Sequence, residues 1–142
     1  MKKIVFAITV LSFISCNAQK RNIGLTELPG QAQSFVTTYY PSQAISYIIE
    51  EKDTHSTEYE IHFSGSAEVE FDAAGLWKEV EANASVIPPG LLPKKISAYL
   101  AKNYKGQNIE KIERKNWGYK VECFSDLELE FDKNGDFLRI DS

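Results

Sequence analysis

The stretch from Leu28 to Asp141 is one unit written twice. Leu28-Pro29 returns as Leu92-Pro93, Tyr40 as Tyr104, and Ile45 and Ile48 as Ile109 and Ile112, all 64 residues on. Tyr59 then returns as Tyr119, Phe71-Asp72 as Phe131-Asp132, Gly75 as Gly135 and Val80 as Ile140, now 60 residues on. The change of spacing falls between Glu51 and Tyr59, where a hairpin loop can absorb it. A duplicated unit must build the same substructure twice, so the fold is constrained at every matched position.

Each copy opens as a helix. Pro29 precedes Ala32, Phe35, Val36 and Tyr39 at helical spacing, and Pro41 ends the segment. Pro93 precedes Ile96, Tyr99, Leu100, Asn103 and Tyr104, and Gly106 ends it. Proline suits a helix start and glycine its end. Helices this short are marginal in water and must pack on something.

The remainder of each copy alternates with period two. Tyr59, Ile61 and Phe63 are interleaved with Glu60 and His62, and Ala67, Val69 and Phe71 with Glu68 and Glu70. Tyr119, Val121 and Cys123 alternate with Lys120 and Glu122, and Leu127, Leu129 and Phe131 with Glu128 and Glu130. Such strands bury one face and wet the other. Asp72-Ala73-Ala74-Gly75 and Asp132-Lys133-Asn134-Gly135 read as hairpin turns. Further strands are expected over 43–51 and 76–81, and over 108–114 and 136–141. The fold class is therefore α+β: two tandem α-β-β-β-β repeats, 28–82 and 91–142, joined by a linker over 83–90. Together they would form one curved antiparallel sheet of about eight strands with two helices on one face.

The start of the chain reads as a targeting segment, a signal peptide over 1–18 followed by a tether over 19–27. Lys2-Lys3 precede an apolar stretch from Ile4 to Ser15 that is too short to span a bilayer as a mature helix. Ser15-Cys16 has the form of a lipoprotein cleavage site, with Cys16 the lipidated residue; cleavage after Ala18 is the alternative. Both place the protein outside the cytoplasm, in the periplasm, anchored at the outer membrane through lipid, or secreted. The formal charge of -4 and the lack of a Lys/Arg cluster give no electrostatic reason for nucleic acid, and favour a basic partner or simply solubility. Cys123 is the sole cysteine of the repeats, so no internal disulfide can form there; its apolar parity predicts a buried small hydrophobe.

Strand parity assigns the open sheet face Glu60, His62, Glu68, Glu70, Trp77 and Glu79 from the first copy. The second adds Lys120, Glu122, Phe124, Glu128, Glu130, Phe137 and Arg139. Trp77 and Phe137 are equivalent positions, and exposed aromatics amid charges make a protein-binding hot spot. The partner-binding set expected on this face is Trp77, Phe137, His62, Phe124, Glu68, Glu70, Glu128 and Glu130. The same-face acids also suit a cation, although a solvated glutamate row has the same pattern. Asp132-Lys133-Asn134-Gly135-Asp136 lacks the distal glutamate of a calcium loop. His55 and His62 have no second histidine or cysteine at ligand spacing, and no nucleophile motif is present. No catalytic residue, metal or cofactor is expected.

Tandem helix-plus-four-strand units, the paired Glu68-Val69-Glu70-Phe71-Asp72 and Glu128-Leu129-Glu130-Phe131-Asp132 segments with their Asp-x-x-Gly turns, and an exported start resemble the PepSY-like proteins, also described as beta-lactamase-inhibitor-like. The resemblance runs from about Leu28 to Asp141. It implies an exported bacterial protein whose open sheet face grips a protein partner, and a role as inhibitor or regulator of an envelope protein. Inhibitors of this shape carry disulfides, which this chain cannot form. The alternative expectation is an envelope scaffold or a protein binding a small ligand or cation.

Overall fold

The computed structural model describes residues 18–141. The expected signal segment and Cys16 lie outside the described residues, apart from Ala18. Among the described residues no helix is long and apolar enough to cross a membrane.

Nine strands form one antiparallel sheet in sequence order. They are β1 (Gln19–Asn22), β2 (Ile45–Lys52), β3 (Thr57–Phe63), β4 (Glu68–Phe71), β5 (Trp77–Glu81), β6 (Ile109–Arg114), β7 (Gly118–Cys123), β8 (Glu128–Asp132) and β9 (Phe137–Asp141). Helix α1 (Gly30–Tyr39) precedes β2, and α2 (Lys94–Asn103) precedes β6. Two repeats of one helix and four strands are thus present. The ninth strand, β1, corrects the expected tether: residues 19–22 pair with Ile49–Lys52 and extend the sheet.

The copies match in detail. Pro29 and Pro93 cap the two helices in nearly the same conformation, φ/ψ of -54/144 and -50/140. Tyr40 and Tyr104 close them, each donating its backbone N–H to a carbonyl one turn back, Val36 and Leu100, at 2.9 Å. Phe35 meets Phe71 edge-on at 5.2 Å, and its counterpart Tyr99 meets Phe131 edge-on at 5.4 Å. Both helices therefore cover the same side of the sheet, over a core that includes Ile61, Val69, Phe71, Val80, Ile112, Val121, Leu129 and Phe131. Cys123 lies fully buried beside them, as expected, and burial pushes its thiol pKa up.

The Asp-x-x-Gly turns also gain a physical meaning. Asp72 Oδ1 accepts hydrogen bonds from the N–H groups of Ala74 and Leu76, at 3.0 and 2.9 Å. Asp132 Oδ1 accepts from Asn134 and Asp136, both at 2.9 Å. The side chain replaces backbone partners through the turn, which is why an aspartate begins it. The two repeats join where β5 pairs β6 through Glu79↔Glu113, Val80↔Ile112 and Glu81↔Lys111.

A candidate functional site on the open sheet face

The registers of successive strand pairs line up into two rows across the uncovered face. One runs Ile49, Glu60, Glu70, Glu79, Glu113, Lys120, Glu130, Arg139. The other runs Tyr47, His62, Glu68, Glu81, Lys111, Glu122, Glu128, Asp141. The rows hold ten carboxylates against three fixed cations, so the face is a strongly negative surface. Like charges directly opposite one another on a sheet are destabilising. Glu60, Glu70, Glu79 and Glu113 stand in four consecutive places, so this arrangement is held against its own repulsion.

Bound cations of the chain itself relieve part of it. Lys78 donates to Glu58 and Glu70 at 2.5 and 2.8 Å. Lys111 reaches across the seam to Glu79 at 3.0 Å and Glu81 at 2.7 Å. Arg139 pairs with the buried Glu130 at 2.8 Å, and Lys120 with Glu128 and, at 3.3 Å, Asp141. Burial pushes the Glu79 carboxyl up, because leaving water disfavours the charged form more than the Lys111 ammonium favours it. Glu81 goes down, because its bond from Lys111 outweighs burial. Burial opposes the charge on Lys111, yet its bonds to Glu81 and Glu79 together hold it above the ordinary lysine value. Glu122 is raised by burial and then by Glu128 beside it.

Of the partner-binding set expected on this face, His62, Glu68, Glu70, Glu128 and Glu130 stand in the rows, as do the other charged residues assigned to it, Glu60, Glu79, Lys120, Glu122 and Arg139. Phe124 follows β7, half exposed, and borders a cavity of about 450 Å³ lined also by Val86, Ile87, Asn108 and Ile109. Trp77 and Phe137 do not belong to the open face. Trp77 pairs with Phe71 and Phe137 with Phe131, and both aromatics pack against the core on the helix side. Phe137 stacks on Tyr99 of α2, and Trp77 lies against Tyr119 with the Arg114 guanidinium 5.4 Å from its ring centre. The cause is a β-bulge in each copy. Between the pairs Glu70↔Glu79 and Phe71↔Trp77, β5 holds one extra residue, Lys78; Leu138 is its counterpart in β9. An extra residue reverses the strand's parity beyond it.

The bulges also explain what parity missed. Ser46 and Glu110 are the extra residues of β2 and β6, which turns Ile45 and Ile109 to the helix side while Tyr47 and Lys111 stand in the rows. The signal was present in the repeat itself: four bulges occur at two pairs of matching positions.

A family model described as "Putative beta-lactamase-inhibitor-like, PepSY-like" matches residues 57–139. A solved structure from Bacteroides vulgatus, described as a "putative periplasmic protein", is 31% identical, with a TM-score of 0.81 over 87% of this chain and 98% of the other. Another from Bacteroides thetaiotaomicron, described as a "putative calcium-regulated periplasmic protein", is 30% identical, with a TM-score of 0.83 over 87% and 97%. A further Bacteroides vulgatus structure, described as periplasmic and of unknown function, is 29% identical, with a TM-score of 0.81 over 87% and 100%. No curated protein matches the chain.

Proposed function

The chain belongs to the PepSY-like, beta-lactamase-inhibitor-like family, and on that premise we propose that it is an exported, non-catalytic binding module whose open sheet face holds a basic segment of an envelope protein, as inhibitor or regulator. The observation that carries this reading is the pair of carboxylate rows spanning the sheet. A negative surface that none of the described elements covers attracts and orients a positive partner. His62, Glu68, Glu70, Glu128 and Glu130 are its contact residues, with Phe124 as an apolar contact at the rim. The periplasmic relatives support the location, and lipid on Cys16 would hold the module at the membrane. Affinity capture from the envelope tests it. Glu70→Gln, Glu79→Gln and Glu113→Gln combined should keep the fold and release the captured partner, and high salt should do the same. Capture unchanged by both treatments would overturn the reading.

A second reading is calcium binding on the same face. It is supported by the relative described as calcium-regulated and by the preference of calcium for several carboxylate oxygens. A calcium ion that binds the native state must raise the melting temperature. No shift at millimolar calcium would remove this reading and leave the first intact.

A further inference from the structure

We propose that His62, Glu60 and Glu68 form a site for a divalent transition-metal ion of the zinc class, built into the first repeat and filled in the second by a lysine. The three residues offer ligand atoms that lie within 4.8 Å of one another. Glu60 is two residues before His62 on β3, and Glu68 stands opposite it on β4, so all three share the open face.

The imidazole is held between the acids. Its Nε2 lies 2.6 Å from Glu60 Oε1 and its Nδ1 3.2 Å from Glu68 Oε1. A neutral imidazole carries one N–H and one lone pair. One carboxylate therefore faces a lone pair unless the ring takes a second proton or a metal ion takes that proton's place. Zinc bonds nitrogen and carboxylate oxygen at about 2.0–2.2 Å, which sets tetrahedral ligand atoms roughly 3.3 Å apart. The separation from Nδ1 to Glu68 already has that length, whereas Glu60, 2.6 Å from Nε2 at the other side of the ring, must turn to reach the same ion. The Tyr47 ring stacks on the imidazole at 4.2 Å and 23° and fixes its plane. The side chains of Glu60 and Glu68 remain 41% and 37% exposed, which leaves room for water as a fourth ligand. The nitrogen donor separates this site from a calcium site, which takes oxygen alone.

The second repeat supplies an independent comparison. Its equivalents are Lys120, Glu122 and Glu128, and the Lys120 ammonium pairs with Glu128 and Asp141. Where the first copy has an imidazole between acids, the second carries its own cation. The site was not visible as a sequence motif because Glu68 arrives across a hairpin.

Titration calorimetry with zinc chloride on the purified protein, free of any histidine tag and stripped by chelator, tests the site. One zinc per chain is expected, undisplaced by calcium. His62→Gln should weaken binding by at least about tenfold while the metal-free protein still folds. No stoichiometric binding, or equal binding by the folded His62→Gln protein, would overturn the site. Lys120→Glu combined with Glu122→His should raise the count to two. A count of one in that folded variant overturns the equivalence of the two places. None of these results depends on capture of a protein partner, which is read separately.

Discussion

Tyr99 of α2 and Phe137 of β9 stack with ring centroids 4.8 Å apart and planes 11° from parallel. Phe131 meets both edge-on, at 5.4 and 5.9 Å. This aromatic trio fastens the second helix to the last strand. Phe137→Ala should therefore cost roughly 2–4 kcal/mol of stability, the range for removing a large core side chain from a half-buried place. Leu138→Ala, at the neighbouring position that is 52% exposed, should change stability by less than about 0.5 kcal/mol. Urea denaturation of the two variants checks the contrast. Equal effects would mean that the bulge does not decide which residue is core.

Lys111 is the charged clasp between the repeats, since it stands on β6 and donates to Glu79 and Glu81 of β5. Its side chain is 25% exposed. Lys111→Ala leaves two acids facing each other at the seam without a cation. A loss of about 1–2 kcal/mol is expected, and added salt should shrink it by screening the carboxylates. Denaturation at low and high salt measures both. A loss that does not respond to salt would point to packing of the lysine stem instead.

The turn glycines differ in how tightly the helices sit over them. Gly75 and Gly135 both have φ of +82°, which L side chains rarely adopt. A Cβ on Gly75 would lie 2.8 Å from Pro29 Cβ and 2.9 Å from the Ala32 nitrogen, whereas one on Gly135 would lie 3.1 Å from Lys95 Cβ. The backbone conformation alone costs about 1–2 kcal/mol for alanine. Both variants should be destabilised, and Gly75→Ala more so, because its new atom would come within 2.9 Å of the α1 backbone, while the one at Gly135 keeps at least 3.1 Å from its neighbours. Thermal melts of the two proteins, side by side, test the order; the reverse order would show that α1 shifts more easily than α2.

The sequence made the scaffold legible because the repeat samples the same constraints twice. Proline starts, period-two strands and Asp-x-x-Gly turns each report on local backbone, and the backbone in this fold is mostly local: every strand pairs with its neighbour in the chain. Strand β1 was not legible, since Gln19, Lys20, Arg21 and Asn22 carry no apolar alternation and join the sheet as an edge. The bulges were the other gap. Parity counted from Val80 back to Trp77 assumes an uninterrupted ladder, and Lys78 breaks it. The same break moved both aromatics off the open face and concealed that the face is a charge array. His62 was placed on the right face, but its stacking on Tyr47 depends on the register across β2 and β3, which alternation within one strand does not give.

Tyr40 carries the last prediction. Its ring stacks on Phe63 at 4.4 Å, and its buried hydroxyl has no hydrogen-bond partner among the described residues. Burial pushes its pKa up to about 12, against about 10 in an unfolded chain. The folded state thus holds the proton more tightly, and its stabilising contribution is complete below about pH 10. Between about pH 10 and 12 the unfolded chain binds fewer protons than the folded one, so stability falls as pH rises. The fall amounts to roughly 2–3 kcal/mol across that window. Tyr40→Phe keeps the stack and removes the unpaired hydroxyl, so at neutral pH it should be about 1 kcal/mol more stable than the parent. At about pH 11 the gap should widen, because the variant has nothing at this place to ionise. Urea denaturation of both proteins at the two pH values measures the difference. A gap that stays constant with pH would show that the hydroxyl reaches water in the folded protein.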